Sequence, residues 1–211
     1  MIEITKLSHA FDEKSIFRDA KLSISEGEVI WLQGENGSGK TTLFRILSGI
    51  LEPVSDEEPI INLKGEVVRI AEMRHEVNYI PSKPYLFEYL SGSDNMEYLI
   101  SLFDLEGSYN QIMKNIVALR LEDDLDLEVH TYSLGMKAKL YLAIMIERVT
   151  SLIIIDELLN NIDVESLKAV VKIFENKTTK GGSSIIFSSH TQIVEVISNT
   201  KVIHIRNKRL E

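Results

Sequence analysis

The chain has 211 residues, 44% hydrophobic and 26% charged, enough to bury a full core in one domain or one domain with a subdomain. A net charge of −9 removes any general attraction to nucleic acid or anionic lipid. The absence of cysteine excludes disulfides and thiolate metal sites and suits a reducing compartment.

In chain order, residues 2–7 and 20–25 alternate enough to be strands, with a turn around Asp12-Glu13-Lys14. Met1 to Lys6 lacks the apolar centre of a signal peptide. Val29–Leu32, Val77–Ile80, Leu152–Ile155 and Ile185–Phe187 are short, continuous, β-branched-rich runs. That texture belongs to strands covered on both faces, as in a mostly parallel sheet. Thr42–Leu47 has helical spacing, and the acidic Pro53–Pro59 stretch reads as a solvated loop. Between residues 92 and 150 the texture is helical, with Asp94, Ser108 and Ser133 as N-cap candidates. Lys137–Val149 is expected to be amphipathic, and Val202–Ile205 with Arg206–Glu211 forms a closing hairpin. No apolar run approaches the ~20 residues that span a bilayer.

Residues 34–42, Gly-Glu-Asn-Gly-Ser-Gly-Lys-Thr-Thr, carry the strongest chemical signal. They satisfy the phosphate-binding-loop pattern, with an apolar strand before and a helix after. Glycines let successive N–H groups turn inward as a nest for phosphate oxygens, and the helix N-terminus adds positive charge. The expected nucleotide contacts are Gly34, Asn36, Gly37, Ser38, Gly39, Lys40, Thr41 and Thr42. Lys40 reaches the β- and γ-phosphates, and the Thr41 hydroxyl ligates Mg²⁺. The run Leu152–Ile155 ends in Asp156-Glu157, which places two carboxylates at the sheet's carboxyl edge. Asp156 is the second metal ligand, and Glu157 polarises the attacking water.

The order of these motifs resembles the nucleotide-binding subunit of ABC transporters over essentially the entire chain. The resemblance implies an α/β fold: a P-loop NTPase core with a mostly parallel sheet, an N-terminal antiparallel β subdomain and an inserted α-helical subdomain. On that division residues 1–80 and 150–211 form the ATP-binding core, and 81–149 the insertion with the signature motif. Phe11 matches the aromatic residue that stacks on adenine, although an aromatic packed under the strand pair would fit the sequence too. Tyr132-Ser133-Leu134-Gly135-Met136 is similar to the signature motif, with Ser133 and Gly135 matching and Leu134 and Met136 departing from it. Asp163 matches the D-loop aspartate, and both Ser133 and Asp163 also read as plain N-caps. His190, after the run Ile185–Phe187, is similar to the switch histidine near the γ-phosphate. The family's metal-sensing glutamine is absent: Ser82 takes its place, and the only glutamines are Gln33, Gln111 and Gln192.

The resemblance implies a Mg-dependent ATPase that binds ATP and Mg²⁺ and powers a transporter through ATP-dependent head-to-tail dimerisation. The implied partners are integral-membrane permease subunits and, in a homodimer or heterodimer, another such ATPase subunit. Nucleic acid and direct membrane insertion are not expected, and the location is cytoplasmic, peripheral through the partners. Two alternatives keep the fold: an ATP-gated regulatory subunit with impaired catalysis, and a soluble ABC-type ATPase outside transport.

Overall fold

The computed structural model describes residues 1–55, 57–190 and 200–211. Two long strands open the fold, β1 (Ile2–Phe11) and β2 (Lys14–Ile24), where the sequence indicated shorter ones. Asp12 supports the tight connection with φ 49°. Next come β3 (Val29–Gln33), α1 (Lys40–Leu47), β4 (Ile60–Leu63), β5 (Glu66–Val68) and a 3-10 helix over Ile70–His75. The β4–β5 hairpin was not anticipated; Lys64 and Gly65 at φ 52° and 96° supply its two-residue turn. Then follow β6 (Val77–Ile80), α2 (Gly92–Leu102), α3 (Tyr109–Ala118), α4 (Leu134–Met145), β7 (Leu152–Asp156), α5 (Val164–Thr179), β8 (Ser184–Ser188), β9 (Thr200–Arg206) and β10 (Arg209–Leu210).

Among the described residues there are two sheets. One is antiparallel, in the order β2-β1-β4-β5. The other runs β10-β9-β3-β8-β7-β6, parallel except for the closing β9–β10 hairpin. The continuous apolar runs are explained by burial on both faces. Ile30, Leu32, Leu152, Ile154 and Ile186 face α1 and the antiparallel sheet. Trp31, Ile153, Ile155, Ile185 and Phe187 face α5 of the core together with α4 and the other inserted helices. Each fully buried aliphatic side chain contributes roughly 1.5–3 kcal/mol, so both faces of the sheet add to the core.

Two helix expectations need correction. Ser91, not Asp94, caps α2: its Oγ accepts from Asp94 N–H at 3.0 Å, and Asp94 returns a bond to Ser91 N–H, a capping box. The segment expected to be amphipathic is α4 with its exit, and Leu140–Ile146 are all buried, because sheet and insertion enclose that part of the helix. Ser108 stands at the N-cap of α3 without a side-chain cap bond.

Buried polar groups tie the insertion to the sheet. Asn78 of β6 donates to Met145 O at 2.6 Å and accepts from Arg148 at 3.1 Å, whose guanidinium covers the Phe103 ring. Glu147 takes Asn115 Nδ2–H at 2.8 Å and pairs with Lys177, joining α3, the end of α4 and α5.

His9 is buried in the antiparallel sheet, and its Nδ1 accepts the Val54 N–H at 3.0 Å, so the ring proton sits on Nε2. Nε2 has no hydrogen-bond partner among the described residues, and burial pushes the imidazole pKa down. The folded state therefore holds His9 neutral while the unfolded chain takes up a proton near the ordinary histidine pKa of about 6.5. Its stabilising contribution is complete above that pH and declines as pH falls toward the lowered folded value. Urea midpoints between pH 7.5 and 5.5 should fall more steeply for the wild type than for His9→Asn; equal slopes would contradict this.

Candidate functional site

Strands β3, β7 and β8 end at one edge of the parallel sheet, and the residues just beyond them meet there. The loop 34–39 leaves β3 and turns directly into α1. Gly39 precedes the helix at φ 107°, and a Cβ there would lie 2.6 Å from Ile16 Cγ2 and 3.0 Å from Phe17 Cζ. Only glycine lets the loop lie this close to the antiparallel sheet. The Ser38 hydroxyl is buried without a hydrogen-bond partner among the described residues, an orphaned donor in the middle of the loop. A phosphate oxygen would satisfy it. Lys40, almost fully buried, donates to Gly34 O at 2.9 Å and Glu35 O at 3.3 Å.

Phe11, Ile16, Asn36, Gly37, Gly39, Lys40, Thr41, Thr42, Glu157 and His190 line a pocket of about 470 Å³. Phe11 stands at it half exposed, edge-to-face with His9 at 4.6 Å. A residue packed under the sheet would be covered, so its accessibility favours the adenine-stacking role. Ile16 was not foreseen; nothing in a strand pattern distinguishes a residue whose neighbour is a phosphate loop. Larger grooves exist, one of about 920 Å³ between α3 and α5, yet the loop, Glu157 and His190 are absent from its lining. Chemistry rather than size locates the site.

Asp156 ends β7 buried beneath the pocket, and both its oxygens accept hydroxyl hydrogen bonds at 3.0 Å, Oδ2 from Tyr79 and Oδ1 from Ser188. Burial and the adjacent carboxylate push the Tyr79 phenol pKa up, while the Arg45 guanidinium works against them. No cation lies within ion-pair distance of Asp156 among the described residues. A buried carboxylate without a counter-charge suits a divalent cation.

Glu157 adopts the left-handed conformation at φ 56°, a strained backbone costing on the order of 1–3 kcal/mol. Its N–H is held by Ser188, at 3.2 Å to the carbonyl and 3.1 Å to the hydroxyl. That turn delivers Glu157 Oε1 to 3.3 Å from His190 Nε2 and 4.0 Å from Lys40 Nζ. Asn160 Oδ1 fixes the other side, accepting Ser189 Oγ–H at 2.7 Å and His190 N–H at 2.9 Å. Asn160 lies in the segment that resembles the D-loop but has no role assigned by it, and Ser188 and Tyr79 read only as strand residues; contact in the fold reveals all three.

Ser133, Gly135 and Asp163 come together on a separate surface. Ser133 Oγ caps α4 by accepting Met136 N–H at 3.1 Å, so the N-cap reading holds. A Cβ on Gly135 would sit 2.7 Å from Asn161 O, which makes glycine the residue for this approach. Asp163 caps α5 through Ser166 N–H at 2.8 Å and pairs with Lys139 of α4 at 2.9 Å. Burial alone would raise its carboxyl pKa, but the Ser166 amide and hydroxyl and the Lys139 ammonium outweigh that and hold it well below the usual range. Leu134 projects into solvent at the helix start. Ser82 is exposed and outside the pocket lining.

Comparison with known proteins agrees with this arrangement. The ABC transporter family model matches residues 17–160. The Bacillus subtilis ABC transporter ATP-binding protein YdbJ is 27% identical over 190 residues, 90% of this chain and 61% of its own length. The Streptococcus pyogenes lantibiotic transport ATP-binding protein SrtF is 29% identical over 193 residues, 90% of this chain and 80% of its own. A solved ATP-binding subunit of an ABC transporter superposes with a TM-score of 0.83 at 25% identity, covering 100% of this chain and 88% of that one. Loop and paired carboxylates fall inside a matched segment that spans more than half of the sequence, His190 joins them at the same sheet edge, and the chain belongs to the ABC transporter family.

Proposed function

We propose that this chain binds ATP with Mg²⁺ and hydrolyses it as the ATP-binding subunit of a membrane transporter. The observation that carries the reading is Glu157, whose Oε1 lies between His190 Nε2 and Lys40 Nζ at the phosphate loop. Phe11 stacks on the base, and the loop amides, the Ser38 hydroxyl and Lys40 hold the phosphates. Asp156 and Thr41 would hold the Mg²⁺, which neutralises charge on the β- and γ-phosphate oxygens when bound. Glu157 takes a proton from the water whose oxygen bonds to the γ-phosphorus as the bond to the β-phosphate bridge breaks. His190 holds Glu157 and that water in place.

The surface formed by Ser133, Leu134, Gly135 and Asp163 lies outside the chain's own pocket and presents a helix N-terminus. Two copies, or this chain and a relative, facing head to tail would each bring that surface to the nucleotide on the other. Contacts to the γ-phosphate exist only in the closed pair, so binding favours closure and hydrolysis releases it. No helix of the described residues is long and apolar enough to cross a membrane. The likeness to transport ATP-binding proteins supports integral-membrane permease subunits as partners, with this chain on the cytoplasmic face.

A steady-state phosphate-release assay on purified protein tests the proposal. Mg-dependent turnover is expected. ATP binding without release would point instead to a regulatory subunit, and detergent purification yielding only soluble partners would remove the transport role.

A further inference from the structure

The geometry points to Tyr79, rather than Ser82, as the residue through which strand β6 positions the metal-holding carboxylate of Asp156. This inference rests on the proposed ATP and Mg²⁺ site. Tyr79 pairs with Ile154 in the parallel β6–β7 register, two residues before Asp156. Two residues of strand rise about 6.6 Å, a span that a tyrosine side chain can cover to place its hydroxyl at the carboxylate. It does so, donating to Asp156 Oδ2 at 3.0 Å while Ser188 from β8 donates to Oδ1 at the same distance. The carboxylate is thereby held from both neighbouring strands, and each oxygen keeps a lone pair for the metal or its water.

The Arg45 guanidinium, on the helix that follows the phosphate loop, acts electrostatically on the same phenol. One phenol thus joins β6 to the carboxylate at the end of β7. Three residues further along, β6 has run out through Pro81 into the approach to the inserted helices, where Ser82 is exposed and outside the pocket lining. In a chain without a glutamine at that junction, the link between the metal shell and the segment entering the insertion runs through the strand residue Tyr79.

The test uses Mn²⁺ as a paramagnetic probe, with an unhydrolysable ATP analogue bound to the whole chain. Tyr79→Phe should lower Mn²⁺ affinity about 10-fold, at the lower end of the range for partners of metal ligands. Affinity for the analogue in the presence of a chelator should stay within twofold. Ser188→Ala removes the bond to the other oxygen and should shift Mn²⁺ affinity in the same direction, which keeps the test open should Tyr79→Phe fold poorly. Unchanged Mn²⁺ affinity in Tyr79→Phe, or in Ser188→Ala where Tyr79→Phe does not fold, overturns the inference, as does a larger loss from Ser82→Ala than from Tyr79→Phe. Parallel loss of chelated-analogue binding would mean a merely structural role and overturn it too. Failure of the wild type to bind the analogue would instead sink the proposed function, and this inference with it.

Discussion

Glu157→Gln should reduce ATP hydrolysis by about 10²–10⁴-fold, the usual contribution of a positioned general base, while leaving ATP binding intact. The amide is nearly the same size as the carboxylate, and it can still accept from His190 and sit near Lys40, so the pocket keeps its shape. What disappears is the group that receives the water's proton. The strained left-handed turn at Glu157 is held by bonds from its backbone N–H to Ser188, which the substitution does not touch. Trapped with ATP and unable to hydrolyse it, the variant should also accumulate as a dimer by gel filtration in Mg-ATP. Undiminished phosphate release would show that the acid has been misassigned. Loss of nucleotide binding would show that Glu157 shapes the pocket rather than acting in it.

Much of this site was legible because the chemistry is local in sequence. The phosphate loop fits within nine residues, Asp156-Glu157 directly follow an apolar run, and His190 ends another; each needs only a strand end to place it. The sheet strands were equally readable, since burial on both faces forces uninterrupted Ile and Val, as in Leu152–Asp156. What escaped the sequence depends on registry between strands. That Tyr79 reaches Asp156 follows from the β6–β7 alignment, and that Ser188 reaches it from β7–β8. Neither has a sequence spacing, because 77 and 32 residues separate the partners. Capping was read one turn late at α2 because Asp94 and Ser91 are both competent caps, and only backbone direction decides between them. The buried character of α4 was hidden by Lys137 and Lys139, whose ammonium groups pair with Glu88 and Asp163 at the surface while their stems lie along the protein.

Lys40→Met should weaken ATP affinity by about 10–100-fold or more, which calorimetry on the purified chain would read directly. The ammonium is almost fully buried, and its carbonyl partners Gly34 and Glu35 belong to the phosphate loop itself. One charge-assisted bond to a phosphate is worth roughly 1.5–3 kcal/mol, and tenfold in affinity corresponds to about 1.4 kcal/mol. Methionine keeps most of the stem's volume, so core packing between α1 and β3 should survive and the Tm should change little. It leaves the Gly34 and Glu35 carbonyls without their donor, which loosens the loop as well as removing the charge. Lys40→Arg separates those two effects. It restores a cation but brings a larger, planar fork into a space shaped for a compact ammonium, so its donors do not fall where Lys40 Nζ meets the two loop carbonyls. If Lys40→Arg binds ATP as tightly as the wild type, net charge alone suffices. If it binds as poorly as Lys40→Met, the ammonium's fit to the loop carbonyls is what holds the triphosphate. The second outcome is expected, because the loop is built around the lysine before any phosphate reaches it.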